Sequence, residues 1–497
     1  MTGDKKRQRV YTPRKITLGT AIGYGISDFV GGGSMTIVGA WMLFFYTTYC
    51  GLTAVQGALI ISAARIVDAF TTLIMGSLTD NFYKTKLGKR FGRRHFFLYI
   101  GAPLLLIYAV LWISGMNFAY YLVTYLAFEV VLSGVLIPYE TLPTEMTDDY
   151  NARTKMSTAR MFVSAGATFL ATFLPGQLFK ILGQNTAAPF LINGTIFAVI
   201  FAACVLITAL TTWEKPVEEI ANIQKEKTSV REILHDYIST FHLKSFRKHI
   251  AIYLFSFTGK DTFNTVFAYF CTFSLGVSAT VAANMLSLSV VGLVVTLVAG
   301  GLMVKFGPKF LYVFAYSLML CMLCFYYAVF KIQPEHHIVI VLFFISLVYQ
   351  IGRAILEFTP WNVFPFIPDL DELVSGKKRA GIYAAVMTFG RKSTVALATM
   401  ATGFILDMSG FVEGAHSQTD AVQQAIALIL LFGTGTLVLI ALLTALTFKL
   451  NKKSHQTIVD EINRLKAGGK KEDATEATKY VVKQLTGIDY EKVWPQS

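Results

Sequence analysis

Long apolar stretches, each broken by a short polar one, recur along the whole chain. Twelve of them are long enough to cross a hydrocarbon layer of about 30 Å as helices. They lie near 17–46, 53–79, 95–115, 117–140, 156–183, 188–212, 247–276, 280–304, 309–330, 337–364, 380–408 and 422–449. The pattern predicts an all-α integral membrane protein. Several spans exceed the minimum length, so tilts or kinks are expected. A charged connection at 213–246 divides the spans into two sets of six: a bundle over 17–212 and a second over 247–449. The halves look related. TTLIMGSLTD in the second span aligns with VTLVAGGLMV in the eighth, which sets Gly76 opposite Gly300, and a basic, glycine-containing loop follows each. Such repetition favours two repeated six-helix bundles. After residue 450 the chain is polar; Ile458, Ile462 and Leu465 keep helical spacing, so a short surface helix is expected to end at the Gly-Gly-Lys-Lys run over 468–471.

The polar residues inside the spans are few and patterned. Asp28 lies in the first span, Arg65 and Asp68 in the second, Glu129 and Glu140 in the fourth, and Arg160 in the fifth. Lys260 and Asp261 lie in the seventh, Arg353 and Glu357 in the tenth, Arg391 and Lys392 in the eleventh. An ionisable group in hydrocarbon needs a partner or a wet cavity, so each is a functional candidate. Arg65, Asp68 and Thr72 fall at i, i+3 and i+7 and share one helix face. Glu129, Ser133, Leu136 and Glu140 share a face of the fourth span, and Thr388 and Lys392 stand one turn apart. Polar stripes of this kind cannot face lipid and must face a common interior. Acids dominate the first half and the cations of the eleventh span the second, so a cavity between them can both accept and donate hydrogen bonds. A polyhydroxyl solute suits such walls. Simpler structural readings stand beside these. Arg353 and Glu357, at i and i+4, can neutralise one another, and the glycines at 31–33 can serve ordinary close packing.

Charge then gives sidedness. The chain is 54% hydrophobic and 15% charged, with a formal net charge of +13. The cations gather in alternate loops: Lys84, Lys86, Lys89, Arg90, Arg93 and Arg94 after the second span, and Lys377, Lys378 and Arg379 after the tenth. That distribution is an orientation signal, not a nucleic-acid surface, and places these loops in the cytoplasm. Both ends, 1–16 and 450–497, are then expected in the cytoplasm as well, with no cleavable signal and no nucleic-acid partner. Asp80 and the adjacent Arg93 and Arg94 read as a gating or orientation element. The five cysteines show no paired framework. No phosphate-binding loop, HExxH or GxSxG occurs, so an enzyme and a cofactor or structural metal are not expected.

The segments ISDFVGGG, AARIVDAFTTLIMGSLTD, LIPYETLPTEMTDDYNARTKMSTARMF and PWNVFPFIPDLDELVSGKKRAGIYAAVMTFGRK, taken together, resemble the glycoside–pentoside–hexuronide:cation symporters. These are the melibiose permease-like branch of the major facilitator superfamily. The resemblance runs over about 17–449 and implies a multi-pass transporter of the cell membrane whose two bundles rock around a central site. Carried over position by position, it implies that Asp28, Arg160, Thr388 and Lys392 bind sugar, that Asp68 binds the coupling cation, and that Ser133 adds a hydroxyl ligand. The chain also departs from the family pattern. Thr72 stands where a second cation-site aspartate is expected, Leu136 replaces a sugar-binding aspartate, and Glu140 replaces a tryptophan that stacks on the sugar. Thr72 cannot carry a coupling proton, while oxygen ligands suit a hard cation, so Asp68, Thr72 and Ser133 favour sodium over a proton. Glu140, one turn from Leu136, can take over the lost acceptor role. The expected function is sugar, glycoside or hexuronide symport. Uniport or exchange without a cation is the alternative within transport; a membrane enzyme or a sugar sensor is the alternative outside it.

Overall fold

A computed structural model describes residues 14–147, 149–214, 237–334, 337–376 and 379–494. All regular structure among them is helical. Helices stand at the expected places: α1 Leu18–Tyr49, α2 Ala54–Asn81, α3 His95–Val110, α4 Phe118–Met146, α5 Tyr150–Leu182 and α6 Ala188–Thr211. The second half has α7 Lys244–Tyr269, α8 Ala279–Phe306, α9 Pro308–Ile332 and α10 Ile338–Val363. A short helix, α11 Ile367–Ser375, leads into α12 Ala380–Met408 and α13 Asp420–Leu446. Among the described residues, nine helical segments are long and apolar enough to cross a membrane. α7 and α12 are as long, but each carries two adjacent charges, Lys260–Asp261 and Arg391–Lys392.

Three seams join the halves: α1 against α7, α2 against α12, and α5 against α8. Small residues let the backbones meet there, as they do between membrane helices generally. A Cβ on Gly403 of α12 would sit 2.4 Å from Ala58 Cβ of α2, and one on Gly176 of α5 would sit 2.8 Å from Ala283 Cβ of α8. Thr47 and Tyr269 hydroxyls meet at 2.7 Å across α1 and α7. All these contacts lie on the side away from the basic loops. Towards those loops the helices diverge: a Cβ on Gly76 of α2 or Gly381 of α12 would meet nothing within 4 Å. The closest approaches between the halves therefore lie away from the basic loops.

The polar tail is folded. α14 Lys452–Lys466 is present as expected, buries Ile458, Ile462 and Leu465, and is followed by Gly468 at φ 87°. A second helix, α15 Glu476–Thr486, was not foreseen. α14 packs on α11, and α15 on α11 and the start of α7: Lys466 Nζ reaches Glu372 at 2.5 Å, Ser245 Oγ donates to the Leu485 carbonyl, and the Trp494 amide donates to the Leu373 carbonyl. The central connection over 215–236, residues 1–13, His336, and Lys377 and Lys378 of the basic loop lie outside the described residues.

Candidate functional site

The first charged group forms where α1 bends. Its helix is interrupted between Gly25 and Asp28, so Asp28 starts a new helical turn. The turn is closed by the Phe29 and Val30 amides, which donate to the Ile26 and Ser27 carbonyls at 3.1 and 3.0 Å. Gly25 lets α5 come close; a Cβ would meet the Arg160 amide nitrogen at 2.8 Å and Ala159 C at 2.9 Å. That approach carries Arg160 to Asp28, with Nε donating to Oδ1 at 2.6 Å. Nη2 of the same guanidinium donates to Glu140 Oε1 of α4 at 2.9 Å. The guanidinium lies 5.4 Å from the centre of the Tyr139 ring, which stacks on Tyr24 at 4.8 Å. Asp28, Arg160 and Glu140 thus form one cluster. Glu140 keeps about half its side chain exposed, at 49%.

The second group joins α2, α4 and α12. Ser133 Oγ donates to Asp68 Oδ1. Lys392 Nζ lies 2.8 Å from Asp68 Oδ2 and donates to Thr72 Oγ1 at 2.6 Å. Thr72 Oγ1 donates back to the Asp68 carbonyl at 2.8 Å. Sequence reasoning put Asp68, Thr72 and Ser133 together, and they are adjacent. It put Lys392 with Asp28 and Arg160; the structure places its ammonium against Asp68 instead. Among the described residues, Thr388 bonds its own helix, at the Ala384 carbonyl, and is exposed.

The remaining intramembrane charges pair among themselves. Arg65 shares a face with Asp68 but pairs with Glu129 of α4 at 3.2 Å, and both side chains are buried. Glu357 meets Arg353 at 3.2 Å and Lys260 at 3.1 Å. Arg353 also donates to Asn264 Oδ1 at 2.9 Å, and Arg391 pairs with Asp261. Removing a partner from a buried charge is costly, and each of these charges has one, although neither Glu129 oxygen accepts a hydrogen bond among the described residues. Here Asp28, Asp68, Glu129, Glu140, Asp261 and Glu357 balance Arg65, Arg160, Lys260, Arg353, Arg391 and Lys392.

Two polar clasps flank this interior. On the basic-loop side, Arg93 and Arg94 both donate to Glu145 Oε1 of α4, at 2.6 and 3.1 Å, and Arg94 also donates to Thr79. The Asp80 side chain lies outside the described residues. On the opposite side, Asp407 at the end of α12 accepts the Ala54 and Val55 amides at 2.9 and 3.2 Å, so it caps α2 across the seam between halves. Sequence reasoning missed Glu145 and Asp407. Asp407 did carry a signal: an acid in the last turn of a helix faces the wrong end of the dipole and needs positive partners elsewhere.

The family model for "MFS/sugar transport protein" matches residues 23–452, which spans every group above. The chain belongs to this family. It is a multi-pass transporter of the cell membrane and not an enzyme. The MFS/sugar transport protein assignment accords with curated relatives over nearly the full length. The isoprimeverose transporter of Lactiplantibacillus pentosus is 24% identical over 81% of this chain and 82% of its own. The glucuronide carrier protein homolog of Escherichia coli is 21% identical over 90% of this chain and 96% of its own. Among solved structures, a D-xylose-proton symporter matches with a TM-score of 0.61 at 16% identity, covering 87% of this chain and 97% of that one. That likeness speaks for the fold: a major facilitator architecture.

Proposed function

We propose that this MFS/sugar transport protein moves a sugar, glycoside or hexuronide by alternating access, coupled to a cation at Asp68. The observation that carries the proposal is the Asp68–Lys392 contact. It ties a carboxylate of one half to a cation of the other at the level of the open interior. In this reading Asp28, Arg160 and Glu140 bind substrate hydroxyls, with Thr388 and Lys392 on the facing wall. Asp68, Thr72 and Ser133 supply the oxygen ligands for the cation, and hard oxygen donors favour sodium. Asp68 has one negative charge, so it can balance either Lys392 or an entering cation. Cation binding then frees the lysine to face the substrate. A relative named for a glucuronide, together with Arg160, Arg391 and Lys392 in this chain, keeps an anionic sugar among the substrates.

The test is radiolabelled uptake in proteoliposomes over a panel of pentosides, hexosides and hexuronates, under sodium and proton gradients. Asp68→Asn is expected to abolish ion-stimulated uptake while sparing part of downhill exchange. Unchanged ion dependence in that variant overturns the coupling role. Asp28→Ala should weaken substrate binding at normal expression, and full affinity removes it from the site.

One observation favours a second reading. Because Lys392 already fills the place of a cation and Thr72 lacks the second carboxylate, a uniporter or exchanger with a built-in lysine counter-ion fits the same geometry. Counterflow that is identical with and without an ion gradient selects it.

A further inference from the structure

A second site lies away from the transport path, where the last span, the start of α7 and the tail converge. Lys244, Lys248 and Lys449 line a pocket of about 370 Å³ with Gln484 of α15. Among the described residues, no carboxylate lines it. Its construction is fixed. Ser245 Oγ holds the Leu485 carbonyl at 2.6 Å, and Gly487, at φ 80°, packs against the Lys244 stem, where a Cβ would come within 3.1 Å. Lys248 Nζ donates to the Thr447 carbonyl at the end of α13, at 2.7 Å. Three lysines that share one pocket repel one another, and an anion of matching size relieves that.

Position decides which anion. Exposed Leu446, in the last turn of α13, places the pocket at the membrane boundary, on the side of the basic loops. Lys244, Lys248, Ala251 and Phe255 lie at i, i+4, i+7 and i+11, on one face of α7. That face runs into an apolar groove of about 950 Å³ between α7, α12 and α13, lined by Leu254, Phe255, Phe389, Leu397 and Phe432. Exposed Phe432 and Leu397, at 61% and 70%, open it to the bilayer. A polar end that wants a phosphate continues into an apolar channel that suits an acyl chain. Basic pockets on the cytoplasmic face of membrane helices hold acidic headgroups by this charge complementarity.

We propose that an acidic phospholipid docks here, its phosphate among Lys244, Lys248 and Lys449 and one acyl chain in the groove, so that it pins the tail to α7 and the last span. The test uses the full chain in neutral detergent, titrated with phosphatidylglycerol or phosphatidylcholine and read by native mass spectrometry. The wild type is expected to retain phosphatidylglycerol preferentially. K244Q/K248Q/K449Q should lower that retention by roughly fivefold per lysine removed, while K86Q/K305Q/K309Q, which removes three exposed cytoplasmic charges elsewhere, should leave it unchanged. Equal loss in both triple variants, or none in the first, overturns the site. Displacement of phosphatidylglycerol by millimolar inorganic phosphate also overturns the lipid assignment, in favour of a small anion. If the triple variant fails to fold, K449Q alone serves. Its side chain is exposed, and a retention equal to wild type in it rejects the proposal.

Discussion

With the proposed coupling cation, Asp68 has two claimants, and they cannot both be served. Its carboxylate holds the Lys392 ammonium at 2.8 Å while Ser133 donates to the other oxygen. Adding a sodium ion without moving the lysine would place two positive charges on one acid in a poorly hydrated site, where repulsion is strong. Lys392→Gln should therefore raise the apparent affinity for the coupling cation and lower that for the sugar. Sodium titration of uptake checks it, and an unchanged sodium midpoint argues against competition. Gly25 is the other decisive position. Alanine there would press a methyl group on the backbone of Arg160 and Ala159, which cannot rotate away. Gly25→Ala is expected to cost about 1–3 kcal/mol and to lower the melting temperature together with substrate affinity; loss of neither means that α1 and α5 separate freely. The positions of Asp28, Asp68 and Arg160 were legible as charges where none is cheap. Their partners were not. Arg65 and Asp68 share a helix face, yet one finds Glu129 and the other Lys392, because pairing is decided by neighbouring helices that a one-dimensional pattern does not order.

At the scale of elements, α3 begins under an unusual cap. Glu214 accepts the amides of Arg93, Arg94 and His95 and the His95 ring nitrogen. Burial pushes its carboxyl up, but the His95 and backbone hydrogen bonds outweigh that and hold it below its ordinary value of 4.5. A lowered carboxyl favours the fold above its ordinary range, and the benefit fades as pH falls through the depressed value. Glu214→Gln should accordingly cost about 1 kcal/mol at neutral pH and remove the part of the acid-induced loss of thermal stability that this group causes. A variant whose melting temperature tracks wild type at both pH 7 and pH 4 refutes the cap. Helix positions were readable because an apolar run of span length leaves few alternatives. α14 was readable from Ile458, Ile462 and Leu465. α15 escaped notice because its buried Val482 and Leu485 make sense only against α7 and α11, which are far off in sequence. The break in α1 was suggested only loosely by its glycines.

For the molecule as a whole, closure on one side depends on contacts between halves that are individually small. Asp407 capping α2, the Thr47–Tyr269 pair and the Ser62 bond to the Ala396 carbonyl lie along these seams. Asp407→Asn keeps one acceptor and loses the charge at the helix start, worth about 0.3–1 kcal/mol. That small change should shift the balance of the two conformations towards opening on that face. Ser62→Cys, buried between α2 and α12, provides the readout: an impermeant maleimide added from the side opposite the basic loops should label it faster with Asp407→Asn than without. Equal labelling shows that the clasp does not set the balance. The all-helical, major facilitator architecture was legible from the recurring apolar runs, but the seams between the halves were not, since they depend on glycines meeting across distant helices. The pairing of six acids with six bases in the interior has an electrical consequence. When the empty carrier turns over, these groups move through the membrane field as a neutral set. Its return step should then be insensitive to voltage, and any current measured during turnover belongs to the cargo alone.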